Sequence, residues 1–352
     1  MTDLDQRIDQ TLREHAEGSV DTDRLLAGAV TRGRARVRRR RTVAGTALGM
    51  VAVLGVGMAV GPADLPGAGL DGVLPGLGRP ADAVASAVPP RADGVPGAAA
   101  RPDQVGADPN VLHFGFAPGR LRYLYWSVTP GVETAQLDVG GRAVTLELAA
   151  SAEALPGYAP GLPGSASVPV GKGVFDGSVS QAALVDDKPV WLRHWQPAPG
   201  VYARATVTGE DRRGLFDVAT ALRLDQAYRC GGPLRLTTLP ADARVTSCDG
   251  QVASFPSGFQ SRLVVTRGVE AQIFVELQYG LGIVGNRTEG NRTIGGRPAY
   301  RSGPGAIELL GFPKAHLTAH LGFPDKGFTD DDVATVLGGA QVAEPLDDPS
   351  AW

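Results

Sequence analysis

The longest uninterrupted apolar stretch of the chain covers residues 42–61, TVAGTALGMVAVLGVGMAVG, and its twenty residues include no charge. A helix rises about 1.5 Å per residue, so a stretch of this length spans roughly 30 Å, the thickness of a bilayer core. The pattern predicts a transmembrane helix. The alternatives are a buried helix of a soluble domain and the apolar region of a cleaved signal peptide, which usually covers about 7–15 residues.

Apolar positions in the segment before this stretch recur at helical spacing. Leu4, Ile8 and Leu12 lie four residues apart and therefore share one face of a helix. Helices this short are marginal in water on their own. Residues 1–41 are predicted to be a cytoplasmic tail, which is either a helical segment that folds on a protein partner or a solvated segment beside the membrane.

Seven arginines directly precede the apolar stretch and indicate its direction. Basic residues are enriched on the cytoplasmic side of transmembrane helices, which predicts a cytoplasmic N-terminus, an extracellular C-terminal domain and a single-pass protein of the cell membrane. Arginines at this position also attract anionic headgroups, so the lipid bilayer is a predicted partner. The arginines are Arg32, Arg34, Arg36, Arg38, Arg39, Arg40 and Arg41.

Residues 62–110 lack the periodicity of a helix or a strand. Of these 49 positions, 28 are Pro, Gly or Ala, and none is aromatic. Such a composition buries too little apolar surface to offset the entropy lost on ordering. We expect a disordered linker here.

From residue 111 the pattern changes to the alternation of apolar and polar residues that is typical of half-buried strands. Gly140-Gly141 predicts a tight hairpin turn. Helical spacing returns at about 212–226 and again after Thr329, where Asp332 at the third helical position predicts a capping box. The predicted strands are 111–116, 120–126, 132–139, 142–149, 181–185, 189–195 and 201–207 in the first half, and 262–266, 271–279, 297–302, 306–312 and 315–321 in the second.

The two halves of this region resemble each other. The tetrapeptide DVAT at 217–220 reappears at 332–335, in both cases after a series of strands. This similarity predicts an internal duplication, with one exported repeat at 111–230 and another at 231–345. The predicted fold class is α+β: an N-terminal transmembrane helix, then a tandem repeat of antiparallel sheets, each with a C-terminal helix packed on one face.

Charge and cysteine content narrow the classes of function. The net charge is −3, and residues 1–41 hold ten Arg against seven Asp and Glu, so the remainder of the chain is acidic. An acidic region without a basic stripe argues against nucleic acid as a partner. We expect the only two cysteines, Cys230 and Cys248, to form a disulfide in an oxidising compartment. The alternative is two free buried thiols.

No segment carries a catalytic, metal-binding or cofactor-binding signature. His316 and His320 are four residues apart, but a third metal ligand is not near them in the sequence. The nucleophile elbow G-x-S-x-G does not occur. Trp126, Trp191 and Trp195 are interpreted as core residues rather than as a binding platform. We therefore predict no catalytic residue, no metal ligand and no cofactor.

Four features follow one another along the first third of the chain: a short helical start at residues 4–15, an Arg-rich run at 32–41, the apolar stretch and the Pro/Gly/Ala-rich segment. This layout is similar to that of actinobacterial single-pass, anti-sigma-like membrane proteins. The resemblance implies a regulatory protein whose residues 1–41 have a cytoplasmic protein partner. The tail holds no cysteine, so the His-Cys-Cys zinc site of zinc-dependent anti-sigma domains cannot form around His15.

Three functions are compatible with the sequence. The leading hypothesis is a non-enzymatic, membrane-anchored sensing or binding protein whose exported region recognises an unknown envelope ligand or protein. The first alternative is a tethered binding or scaffold module with no signalling role. The second is an exported hydrolase whose site is built from scattered residues.

Overall fold

The computed structural model describes residues 86–352, apart from positions 120, 156–173, 186, 285–286 and 324–325. In this part of the chain the α-helices are α1 (Arg213–Ala221) and α2 (Asp330–Gly338), and short 3-10 turns lie at Pro102–Gln104, Ala152–Ala154 and Pro349–Ala351. The strands are β1 (Val111–Leu112), β2 (Gly115–Phe116), β3 (Leu121–Thr129), β4 (Val132–Val139), β5 (Ala143–Ala149), β6 (Asp176–Val185), β7 (Lys188–Ala198), β8 (Val201–Thr208), β9 (Leu222–Arg223), β10 (Tyr228–Arg229), β11 (Leu234–Leu236), β12 (Arg244–Gln251), β13 (Gly258–Arg267), β14 (Ala271–Gly280), β15 (Arg292–Ile294), β16 (Arg297–Gly303), β17 (Ala306–Leu309), β18 (Ala315–Leu321) and β19 (Ala340–Val342).

Thirteen of these strands form one antiparallel sheet in the order β15-β16-β17-β18-β14-β13-β12-β3-β4-β5-β8-β7-β6. Strands from the second half of the chain occupy one side of this sheet, and strands from the first half occupy the other. The two sides meet where β12 pairs with β3, over four residue pairs that run from Cys248↔Val128 to Gln251↔Tyr125. This β12–β3 pairing is called the seam below.

The predicted fold class, α+β with a transmembrane helix and a repeat of helix-packed sheets, is wrong. The fold is β-rich: both halves contribute strands to a single sheet. Each of the two described helices has only nine residues. The physical reason is the seam. The edge strand of each half presents unpaired N–H and C=O groups, and the two edges satisfy one another.

The prediction of a single-pass membrane protein is also contradicted. Within the described ranges, no helix combines the length and the apolar character that a membrane crossing requires. The predicted tail at 1–41 with its seven arginines and the predicted crossing at 42–61 lie outside the described residues. The predicted localisation, a cell-membrane protein with an extracellular C-terminal domain, is therefore not supported.

Residues 86–110, which the sequence assigns to a disordered linker, pack against the sheet. Ala87, Ala98 and Val105 are buried, and the backbone N–H of Ala98 donates to the carbonyl of His113 at 2.7 Å. A Cβ atom at Gly97 would lie 2.3 Å from the carbonyl oxygen of Leu224. The small residues of this stretch therefore allow irregular backbone to approach the fold closely. The first part of the predicted linker, 62–85, lies outside the described residues.

The two faces of the sheet differ chemically. The apolar face carries residues such as Trp126, Leu137 and Leu146, which belong to the same buried core as Leu215 of α1 and Val333 of α2. The opposite face, called the polar face below, carries hydroxyl, amide and charged side chains. One residue from each of eleven neighbouring strands forms a continuous row across it: Tyr300, Glu308, Thr318, Glu276, Arg262, Asp249, Ser127, Thr134, Glu147, Arg204 and His194.

Candidate ligand-binding site on the polar face

Two of the ion pairs on the polar face are the most buried, and they lie on opposite sides of the seam. Glu147 on β5 stands opposite Arg204 on β8 and accepts a hydrogen bond from its Nε at 2.5 Å. Asp249 on β12 accepts from Arg262 Nε on β13 at 2.7 Å. Burial raises the pKa of both carboxyl groups, although the neighbouring guanidinium opposes the rise. Each carboxylate thus has its charge compensated by a cation on the adjacent strand.

A cavity of about 460 Å³ opens on the polar face at the seam. Tyr125 on β3 stands opposite Gln251 across the seam and opposite Gln136 of β4 on its other side. Thr145 of β5 is the register partner of Gln136. None of the residues that line the cavity is charged; they are Leu124, Tyr125, Thr134, Gln136, Thr145, Gln251 and Ala253.

A β-bulge turns the ring of Tyr125 toward this cavity. The register of β3 against β4 shifts between Tyr123 and Tyr125, so that Leu124 is the extra residue. Without the bulge the two tyrosines would share a face, because side chains alternate along a strand. Instead Tyr123 is buried edge-to-face against Trp126 at 5.8 Å. Burial raises the pKa of Tyr125 further above neutral pH, where a tyrosine hydroxyl is in any case protonated and can donate.

One hydroxyl beside the cavity lacks a partner. Thr206 on β8 is buried opposite Thr145, and its Oγ1 makes no hydrogen bond within the described residues. A buried polar group without a partner costs about 1–3 kcal/mol. A ligand group that reached this hydroxyl would recover part of that free energy.

The predicted disulfide residues lie on the other face of the sheet. Cys230 and Cys248 form a disulfide bond with their Cα atoms 6.0 Å apart. Cys248 stands opposite Val128 at the seam, and the carbonyl of Cys230 accepts a hydrogen bond from Trp126 Nε1 at 2.7 Å. The bridge therefore ties the apolar core beneath the seam and does not contact the cavity lining.

The histidines singled out in the sequence have separate partners. His316 Nδ1 lies 2.6 Å from Glu308 Oε1, whereas the ring of His320 stacks on Phe274 with centroids 5.2 Å apart. Within the described part of the chain, no group of three or more His, Cys, Asp or Glu residues is placed to hold a metal ion.

The three tryptophans that the sequence assigns to the core do not line the cavity. Trp126 is 1% exposed and belongs to the core. Trp191 and Trp195 are partly buried, under the guanidinium groups of Arg212 at 4.6 Å and Arg193 at 5.2 Å respectively. The aromatic residue of the cavity is Tyr125, which sequence reasoning missed because regular alternation hides the bulge.

Comparison with known proteins does not assign a family. No protein-family model matches the sequence, and no curated protein shows significant similarity to it. The anti-sigma-like regulatory role and the protein partner of residues 1–41 stay predictions, since that segment lies outside the described residues. What the site defines is a class of chemistry: an aromatic ring surrounded by uncharged donors and acceptors on the polar face of a sheet.

Proposed function

We propose that the protein is a non-enzymatic binding protein whose polar face takes a neutral, hydroxyl-rich ligand of the carbohydrate class. The observation that carries this proposal is the uncharged cavity at the seam, where Tyr125 is surrounded by the amides of Gln136 and Gln251 and the hydroxyls of Thr134 and Thr145. The C–H face of a sugar packs on an aromatic ring while its hydroxyls both donate to and accept from amides and hydroxyls.

The size and the electrostatics of the cavity agree with such a ligand. Pockets for small molecules usually enclose about 300–1,000 Å³, and this cavity of about 460 Å³ falls within that range. The carboxylates around it, Glu147, Asp249 and Asp138, are each paired with an arginine and so leave little unbalanced charge for an ionic ligand.

The positions of Glu147 and Asp249 favour binding over hydrolysis. Asp249 and Glu147 stand in one cross-strand row with β3 and β4 between their strands. Three strand spacings of about 4.8 Å place them roughly 14 Å apart. Glycoside hydrolases hold their two carboxyl groups about 5–9.5 Å apart. Asp249 and Glu147, roughly 14 Å apart, are therefore too far from each other to act together on one glycosidic bond.

Binding of the full chain to an array of neutral oligosaccharides tests the proposal, followed by calorimetry with the best-retained sugar. Tyr125→Ala and Gln136→Ala should each weaken binding roughly tenfold, because they remove a central aromatic or hydrogen-bonding contact. Tyr300→Ala is the matched control: it removes the same kind of ring from the polar face on β16, outside the cavity.

Retention of no neutral sugar, or equal binding by Tyr125→Ala and Tyr300→Ala, would refute the proposed ligand class. Release of shorter sugars during prolonged incubation, followed by chromatography, would refute the non-enzymatic assignment. Circular dichroism of each variant separates loss of the site from loss of the fold.

A further inference from the structure

A second cavity, of about 750 Å³, shares no lining residue with the first, although neighbouring residues of β3 line both: Tyr123 lines this cavity and Tyr125 the first. Its walls come from the extended segment 86–93, the start of β3, the β9–β10 region and the final residues 349–352. Three arginines, Arg91, Arg223 and Arg229, line it together with the carboxylates Asp93 and Asp225.

Arg229 is held in place but only partly satisfied. Its backbone N–H donates to the carbonyl of Pro90 at 2.7 Å, and its Nη2 donates to the carbonyl of Trp352. Its Nε and Nη1 are buried and make no hydrogen bond within the described residues. A guanidinium keeps its charge at any physiological pH, so its buried N–H groups call for an acceptor.

The other two arginines add positive charge at the mouth of the same cavity. Arg91 is exposed and lies over the ring of Tyr228 at 6.0 Å. Arg223 is also exposed, and its Nη1 donates to the carbonyls of Thr220 and Leu222. Among the described residues, no Asp or Glu oxygen lies within 4.0 Å of any of the three guanidinium groups. Among the side chains that line the cavity, three are cationic and two are carboxylates.

Aromatic rings form the remaining walls of the cavity. Phe116, Tyr123, Tyr228 and Trp352 line it, and the two tyrosine hydroxyls are uncharged at neutral pH. Flat apolar surfaces next to a buried, incompletely bonded guanidinium suit a molecule that has an anionic head and an aromatic or apolar body.

We propose that this cavity is a binding site for a small organic anion, whose carboxylate or phosphate accepts from Arg229 while its apolar body packs among the four rings. This site is independent of the sugar-binding site proposed above. Arg91 and Arg223 contribute long-range attraction, so affinity falls as the salt concentration rises.

Titration calorimetry on the full chain with phenyl phosphate, benzoate and the neutral benzyl alcohol tests the site, with intrinsic tryptophan fluorescence as a second signal, because Trp352 lines the cavity. The anions should bind and benzyl alcohol should not. Whichever of phenyl phosphate and benzoate binds more tightly shows whether the site prefers a phosphate or a carboxylate. Arg229→Gln should weaken anion binding roughly tenfold, as expected when a charge-assisted hydrogen bond is lost. Arg297→Gln is the matched control, because Arg297 lies over Phe312 at 5.1 Å and outside this cavity.

Equal anion affinity in Arg229→Gln and Arg297→Gln, or binding of benzyl alcohol as tight as that of the anions, would overturn the proposal. If Arg229→Gln does not fold, the exposed positions still test it. Arg91→Gln and Arg223→Gln should each weaken binding several-fold at low salt and less at high salt, whereas an unchanged affinity in both variants would overturn it.

Discussion

Glu133 holds the segment before β3 on the sheet, and its removal should be strongly destabilising. The carboxylate is 0% exposed on the apolar face of β4. It accepts hydrogen bonds from the backbone N–H of Gly106 at 2.9 Å and of His113 at 2.6 Å, and His113 Nδ1 lies 2.6 Å from the same group. Glu133→Ala would leave these three buried nitrogens without their acceptor.

The expected magnitude follows from these contacts. A buried donor left unpaired costs about 1–3 kcal/mol, and at least two backbone donors would lose their acceptor. Water that enters the space left by the side chain recovers part of this loss. We therefore expect Glu133→Ala to lower the free energy of unfolding by about 4 kcal/mol, a large part of the 5–15 kcal/mol typical of a domain. Glu133→Gln retains one acceptor oxygen and should lose about half as much.

Urea unfolding followed by tryptophan fluorescence measures the loss, and hydrogen exchange at the amides of Gly106 and His113 localises it. Glu153→Ala is the control, because Glu153 is exposed and should change stability by less than about 0.5 kcal/mol. A loss below about 1 kcal/mol in Glu133→Ala, or unchanged exchange at the two amides, would refute the reasoning.

Three further predictions concern the disulfide, the polar face and the last helix. Replacement of Cys230 and Cys248 by Ser should lower the free energy of unfolding by about 3 kcal/mol, because the bridge restricts the unfolded chain; equal urea midpoints would contradict this. Burial raises the pKa of Glu147 in the folded state above its value in the unfolded chain. The protonated carboxyl group therefore stabilises the folded state fully at pH values below the unfolded-state pKa, and this stabilisation is lost as the pH rises through the folded-state pKa. Unfolding measured from about pH 4 to 8 should therefore show wild-type stability falling relative to Glu147→Gln, and parallel curves would argue against the raised pKa. Thr329→Ala removes the capping box of α2 and should cost about 1 kcal/mol in thermal melts. A loss no larger than that of the exposed Thr293→Ala would count against it.

Features decided by a few neighbouring residues could be predicted from the sequence. Gly140 and Gly141 have φ angles of 61° and 85° at the β4–β5 turn, as the glycine pair predicts. Thr329 and Asp332 form the predicted capping box. Both features depend on local backbone chemistry, which needs no knowledge of distant partners.

The single sheet could not be predicted, because its central strand carries no strand pattern. β12 reads RVTSCDGQ, which lacks an apolar alternation, and its residues were not among the predicted strands. The glycine in this strand is explained by its partner across the seam, since a Cβ atom at Gly250 would lie 2.5 Å from the indole of Trp126. The fit of a glycine under a distant tryptophan is a tertiary fact that periodicity does not contain.

The candidate site escaped prediction for a related reason. The alternation in β3 places Tyr123 and Tyr125 on one face, and only the bulge at Leu124 separates them. Likewise, Glu147 occupies a polar position in the alternation of β5, yet it is buried with a partner from elsewhere in the chain, Arg204.

The seam joins the two halves of the sheet through only four register pairs, whereas β3 and β4 share eight and β13 and β14 share ten. The cavity lies across this short junction, with Tyr125 supplied by one half and Gln251 by the other. A molecule held by both residues would act as a clamp, since it binds only while the halves are joined. By thermodynamic linkage, the binding free energy of such a molecule would add to the free energy needed to separate the two halves of the sheet. The two halves should therefore unfold together more cooperatively when the site is occupied than when it is empty.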